Sequence, residues 1–185
     1  MQQIIHDLEN YKPKNGQEAA DKKLILSYLA ANEDALLRTN LAAHLTVSAF
    51  IFDKTFKHVV FGYHKIYNSF GWLGGHADGN SDLKAVALKE AREETSLKSL
   101  RLYNDDIFII DVVYVENHIK NAEYVSDHLH LNITYLLIAD LDEVPQRNPR
   151  EHHDVKWFSV EQSLDYVNES RMMPVYKKAY AHLPK

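Results

Sequence analysis

Cysteine is missing from all 185 residues. Disulfides, thiolate nucleophiles and cysteine-ligated zinc sites are therefore excluded, and the absence suits a reducing compartment. No run approaches the ~20 apolar residues that span a bilayer. Met1-Gln2-Gln3-Ile4-Ile5-His6-Asp7 lacks a basic segment followed by an apolar stretch, so no secretory signal is expected. The expected location is the cytoplasm, with no membrane partner. Positive charge is in deficit, with 21 Lys and Arg against 26 Asp and Glu and a net charge of −5. That balance argues against non-specific binding to a phosphate backbone, so no duplex nucleic acid is expected as a partner. Internal repeats and low-complexity segments are also lacking.

What is present is ordinary globular composition, 45% hydrophobic and 25% charged, enough for one sizeable core with a terminal appendage. Residues 2–11 and 17–31 read as amphipathic helices separated by the breaker Lys12-Pro13-Lys14-Asn15-Gly16. A short third helix is expected over Glu33 to Leu37. Residues 1–40 thus form a helical extension that packs on the domain or on a second subunit, making a homodimer conceivable. The domain itself takes residues 41–185. Its β-rich stretches are Leu45 to Phe52, His58 to His64, Phe70 to Leu73, Ile107 to Glu116, Leu129 to Ala139 and Lys156 to Phe158. Asn117 to Asp127 reads as a polar, mobile link. Ser159 and Gln162 form a capping box for a helix through Val167, and a last helix runs from Met173-Pro174 to about His182. Strands around one central helix, with further helices at the ends, predict a mixed α/β (α+β) layered fold.

The chain is organised around Gly74-Gly75-His76-Ala77-Asp78-Gly79 and Lys89-Glu90-Ala91-Arg92-Glu93-Glu94. The second stretch ends a helix predicted over Asp82 to Thr95, with Asn80, Ser81 or Asp82 as its N-cap. At 100° per residue Glu90, Glu93 and Glu94 share one face, and Lys89 and Arg92 lie on the far side. Like charges at that spacing repel unless a cation sits among them. The acids border the apolar stripe of Leu83, Val86 and Ala87 instead of opposing it, which is unlike a merely solvated face. Clustered carboxylates beside a glycine turn suit a hard cation such as Mg2+ or Mn2+.

Gly75 to Leu97 resembles the Nudix box, Gly-x5-Glu-x7-Arg-Glu-U-x-Glu-Glu-x-Gly-U with U apolar. Gly75, Glu90, Ala91, Glu93, Glu94 and Leu97 match without insertion, while Ser81, Lys89 and Ser96 depart from the expected Glu, Arg and Gly. The resemblance extends to His44 to Phe50 and His128 to Tyr135, and covers roughly residues 40–165. It implies a Nudix-like α/β/α sandwich. It also implies that the Gly75 carbonyl with Glu90, Glu93 and Glu94 holds Mg2+ or Mn2+. The implied reaction is attack of water on one phosphorus of a nucleoside diphosphate linked to another group.

A base ahead of a Trp-bearing strand is common in relatives, and Glu151 stands before Trp157 at similar spacing, with Glu93 the alternative. His76, inside the glycine loop, and Lys89 are the expected contacts to substrate phosphates. Tyr63, Tyr67, Phe70 and Trp72 suit either base stacking or the core. His128, His130, His152 and His153 show no zinc spacing and read as surface or hydrogen-bonded strand residues. Lys89 keeps the charge of Arg without its planar fork, and Ser96 loses the easy left-handed turn of Gly. These departures keep open a second reading, a Nudix-fold binding or regulatory module without turnover. An isoprenoid diphosphate isomerase, whose family chemistry uses a cysteine acid, is set aside.

Overall fold

The computed structural model of the chain describes residues 1–120 and 122–184. Two helices come first, α1 (Gln2–Asn10) and α2 (Gly16–Ala31). The break between them ends at Asn15, whose side chain caps α2 by accepting from the Glu18 amide at 2.8 Å. The helix expected over Glu33 to Leu37 does not form. Those residues make successive i→i+3 turns, with Ala35 N–H on Asn32 O and Leu37 N–H on Asp34 O. Side chains win here: Asn32 bonds the Tyr28 carbonyl, and Asn40 takes Tyr28 Oη and gives to Asp34.

The sheet follows: β1 (Ala43–Phe52), β2 (His58–His64), β3 (Ser69–Gly71) and β4 (Leu73–His76), then β5 (Arg101–Leu102) and β6 (Ile109–Val115), and later β9 (His128–Ile138) and β10 (His152–Ser159). The order β10-β2-β1-β9-β5 is completed by β3 on β2, β4 on β1 and β6 on β9. β1 and β9 pair in parallel along ten residues and all other pairs are antiparallel, a mixed sheet. The expected polar link over 117–127 instead carries a hairpin, β7 (His118–Lys120) with β8 (Glu123–Val125), and Asn121 lies outside the described residues. Composition alone did not expose this pairing, because only three residues per strand contribute.

Period-two alternation decides which end of the sheet is a site. On β1, Leu45, Val47, Ala49 and Ile51 face one core, shared with Ile4 and Leu8 of α1, Ile25 and Leu29 of α2, and Val86 and Ala87. The opposite face changes character along its length. Phe50 and Phe52 join Leu136, Ile138 and Tyr176 in a second core. Ahead of them His44, Thr46 and Ser48 sit opposite His130, Asn132 and Thr134 of β9. Asn132 satisfies the two hydroxyls, its Oδ1 accepting from Thr46 Oγ1 at 3.0 Å and from Ser48 Oγ at 2.9 Å. One face is thus half apolar core and half polar floor.

The central helix, α3 (Leu83–Thr95), buries Leu83, Val86, Ala87, Ala91 and Glu94. Asp82 is its N-cap, accepting from Ala85 N–H at 3.0 Å, and Ser96 ends it with φ 56° and ψ 14°, in the left-handed region. A serine held there costs about 1 kcal/mol of backbone strain that glycine avoids. Ser96→Gly is therefore expected to stabilise the protein by about 0.5–1 kcal/mol, raising Tm by roughly 1–4 °C. An unchanged or lower Tm on thermal unfolding would contradict the strain.

After β10 the expected single helix to Val167 is two short pieces, α4 (Val160–Ser163) and a 3-10 turn over Leu164–Tyr166. The Ser159 hydroxyl reaches Gln162 Oε1 at 3.3 Å instead of a backbone amide, so the capping box is not made. A last helix, α5 (Met173–Ala181), begins with Pro174 in its first turn and lays Tyr176 and Ala179 on the second core.

Candidate active site

The glycine turn and α3 meet where β4 leaves β1. A Cβ on Gly74 would run into the Val47 carbonyl, and one on Gly75 would lie 2.5 Å from Glu90 Oε2. The bare backbone is thus what lets Glu90 lie against Gly75. One turn on, Glu94 is 4% exposed, and its Oε2 accepts from the Gly74 N–H at 3.0 Å. Two acids of one helix face bracket the turn, Glu90 on Gly75 and Glu94 on Gly74.

Burial pushes Glu94 up to about 7, opposed by His152 and reinforced by the nearby Glu151 carboxylate. The partner on its other oxygen is His152, whose Nε2 lies 3.5 Å from Glu94 Oε1. That separation is too long for a full hydrogen bond, and both ring nitrogens of His152, a residue 2% exposed, have no partner. One ligating atom each from Glu94, Glu151 and His152 falls within 4.8 Å of the others. Glu151 precedes β10 and His152 starts it, so the β10–β2 pairing, with its irregular register between His152 and Val155, brings them to α3.

Glu93 points elsewhere. Its side chain is 53% exposed, and the Lys89 ammonium bridges it to Glu90, at 3.0 Å from Glu93 Oε2 and 2.9 Å from Glu90 Oε1. The sequence pattern predicts Lys89 on the far side of the helix. It lies instead beside the acids, because Lys89 and Glu93 stand at i,i+4 as helix neighbours, and its four-carbon stem lets the amine reach Glu90 as well. The two carboxylates hold the ammonium well above its ordinary pKa.

The donor set fits a divalent cation. Buried Glu94 is short of positive charge, His152 offers an unpartnered nitrogen, and an ammonium stands where a cation relieves Glu90 and Glu93. Lys89 is mostly exposed and free to withdraw.

These groups open onto a cleft of ≈ 580 Å³, lined by Gly75, Glu90, Glu94 and Glu151 on one side and by Tyr67 and Trp72 among others, a size that suits a nucleotide-scale ligand. Arg150 and Lys65 also line it. Of the four aromatics in the sequence reading, Tyr67, Phe70 and Trp72 line the cleft. Phe70 also packs edge-on against Phe158, and Trp72 against Tyr176. Tyr63 bonds Asn68 and packs on Phe70.

His76 borders the cleft too, but in company. His44, His76, His128 and His130 gather on the polar floor. Burial drives His76 down to about 3, with Arg38 adding to the effect, and His130 down to about 2. His44 is lowered for the same first cause. Burial thus favours the neutral form of His44, His76 and His130. His128 and His152 both lie on strands and are buried. His128 is a hydrogen-bonded strand residue as expected, whereas His152 has no partner on either ring nitrogen, a placement set by register across β1, β9 and β10 and not by spacing.

The profile of the NUDIX domain matches residues 42–183. No curated protein matches the chain by sequence. Among solved structures, a NUDIX-family hydrolase from Clostridium perfringens superposes with a TM-score of 0.55 at 23% identity, covering 75% of this chain and 96% of that one. The dihydroneopterin triphosphate pyrophosphohydrolase of E. coli gives 0.52 at 12% identity, over 75% and 96%. A C. elegans Ap4A hydrolase gives 0.50 at 17% identity, over 75% and 93%. At these identities the likenesses describe the fold, a mixed sheet with helices on its faces, and the profile match supplies the family. The chain belongs to the NUDIX domain family and is a hydrolase of pyrophosphate bonds.

Proposed function

We propose that the protein is a divalent-metal-dependent pyrophosphohydrolase that cleaves a nucleoside diphosphate linked to another group. The observation that carries this reading is the convergence of Glu90 and Glu94 on the bare backbone of Gly75 and Gly74, at the wall of one cleft. Glu90, Glu94 and the Gly75 carbonyl would hold Mg2+ or Mn2+, with Glu93 joining once Lys89 withdraws. When bound, such an ion neutralises phosphate oxygens and acidifies water.

The chain's own groups do the rest. Glu151, on the cleft and close to Glu94, accepts the proton of a water whose oxygen attacks one phosphorus. The bridging P–O bond breaks on the other side, and two phosphate esters leave. Glu151 is preferred as base over Glu93, which does not border the cleft. Before an ion binds, Lys89 holds Glu90 and Glu93 together, and Lys65 and Arg150 along the cleft suit the outer phosphates. Tyr67 and Trp72 offer faces for a base.

The test is turnover of a panel of nucleoside diphosphate derivatives in 18O-labelled water with Mg2+ or Mn2+. Label in one released phosphate ester, and loss of turnover with EDTA, is the expected result. Turnover unchanged by EDTA would remove the metal from the scheme. The grip of Lys89 on Glu90 and Glu93 favours the second reading, a binding module without catalysis. Tight nucleotide binding with no product from any compound would establish that reading instead.

A further inference from the structure

A second set of ligand-bearing side chains lies on the polar floor, built from nitrogen instead of oxygen. Strands β4 and β9 flank β1, with Thr46 opposite His76 and His44 opposite His130. The ring of His44 consequently lies 5.0 Å from that of His76, 5.0 Å from His128 and 5.1 Å from His130, and His76 lies 5.1 Å from His130. One ring nitrogen each of His44, His76 and His130 falls within 4.8 Å of the other two.

Their hydrogen bonds say which nitrogens carry lone pairs. His44 Nδ1 is 3.0 Å from the Asn40 carbonyl, which only accepts, so Nδ1 bears the proton and Nε2 the lone pair. That Nε2 is buried without a partner in a residue 5% exposed. His128 Nδ1 donates likewise to Ser126 O at 2.8 Å, so its Nε2 accepts from His130 Nε2 at 3.1 Å. The remaining lone pair of His130 is then on Nδ1. An imidazole fixed by N–H to a carbonyl, with its other nitrogen free, is the usual posture of a metal-bound histidine. A buried acceptor with no donor has no comparable use in a packed core.

We propose that His44, His76 and His130 bind a divalent ion of the borderline class, zinc foremost, at a site separate from the carboxylates. Neutral imidazoles without a carboxylate among them select zinc, cobalt, nickel or copper over magnesium. Zinc–nitrogen bonds of about 2.0–2.1 Å place tetrahedral ligand atoms about 3.3 Å apart, so modest ring rotations close the site. Asp78, the acid whose charge acts on His44 and His76, is already paired with Arg38. His128 positions His130. His76 and His130 also line the cleft, so a fourth ligand, water or a phosphate oxygen, would come from there.

The site is tested by titrating the full chain with Zn2+ and Co2+ while excess Mg2+ fills the carboxylates. One equivalent of zinc is expected to bind, and Co2+ to give the strong visible absorption of a four-coordinate site that zinc abolishes. His44→Gln and His76→Gln should each weaken zinc by at least about 100-fold, with Glu94→Gln leaving it unchanged. Circular dichroism checks folding, and if His44→Gln does not fold, partly exposed His76→Gln decides. No zinc bound by the wild type, zinc retained by His76→Gln, or zinc lost in Glu94→Gln would each overturn the proposal. Because the readout is metal binding, its failure leaves the hydrolase reading intact, and failure to hydrolyse leaves the zinc site intact.

Discussion

Glu94→Gln is expected to lower kcat about 10²–10³-fold, equivalent to about 2.7–4 kcal/mol of transition-state stabilisation, while leaving the fold in place. The amide keeps the volume of the acid and its oxygen still accepts from the Gly74 N–H, so the turn stays where it is. What is lost is the anionic oxygen that faces His152 and Glu151. The pH behaviour separates this loss from simple damage. Burial raises Glu94 to about 7 in the metal-free protein, above the ordinary value of about 4.3. The folded state therefore holds a proton that the unfolded state gives up between about pH 4.3 and 7. Stability from this group is present below that window and falls as pH rises through it. Glutamine mimics the protonated acid. Metal-free Glu94→Gln should thus match or exceed the wild-type Tm at pH 8 and show less of the decline. Full activity of the variant would dismiss the role of Glu94. A metal-free Tm well below wild type at pH 8 would show that the carboxylate stabilises the fold instead of burdening it.

Much of this arrangement is legible along the chain. Leu45, Val47, Ala49 and Ile51 alternate with His44, Thr46 and Ser48, so a two-faced strand is written in β1 itself. The central helix follows from its N-cap Asp82 and its apolar stripe, and the share of one face by Glu90, Glu93 and Glu94 follows from i, i+3, i+4 geometry. What could not be read depends on partners distant in sequence. His44 and His130 are 86 positions apart and become neighbours only through the parallel pairing of β1 with β9. His152 is buried because β10 lies on β2 and brings it under Glu94. Glu93 shares the helix face with Glu94 yet stays exposed, since one face is wide enough to be half covered. Lys89 meets the acids because Glu93 stands four residues on, and residues at i,i+4 are helix neighbours, a pairing that a division into near and far faces overlooks. The absent helix at Glu33 to Leu37 failed for a local reason, competition from Asn and Asp side chains that propensity over five residues cannot outweigh.

Lys178→Met is expected to destabilise the protein by about 3–5 kcal/mol, the cost of leaving buried charge without its partner. At this size each kcal/mol shifts Tm by roughly 2–4 °C, so the loss should be plain in a thermal or urea transition. The Lys178 side chain is 7% exposed and its ammonium lies 2.6 Å from Asp111 Oδ1 and 3.6 Å from Glu18 Oε1, both buried acids. It also donates to Ile110 O at 2.9 Å and Gln17 Oε1 at 3.0 Å. One side chain of α5 thereby joins α2 to β6, the first helices of the chain to its last. Methionine fills the space of the stem but leaves Asp111 and Glu18 facing each other without a cation. Desolvation already raises Asp111 to about 6, against the pull of Lys178, so its folded state keeps a proton that the unfolded state releases above about pH 4. This group favours folding at low pH and the advantage fades as pH climbs toward 6. Without the ammonium the charged form becomes costlier still. The deficit of Lys178→Met should therefore be largest above pH 6 and shrink toward pH 4.5. Adding Asp111→Asn to the variant should recover part of the loss at pH 8. Equal deficits at pH 5 and pH 8, with no recovery in the double variant, would assign the effect to lost packing and not to stranded charge.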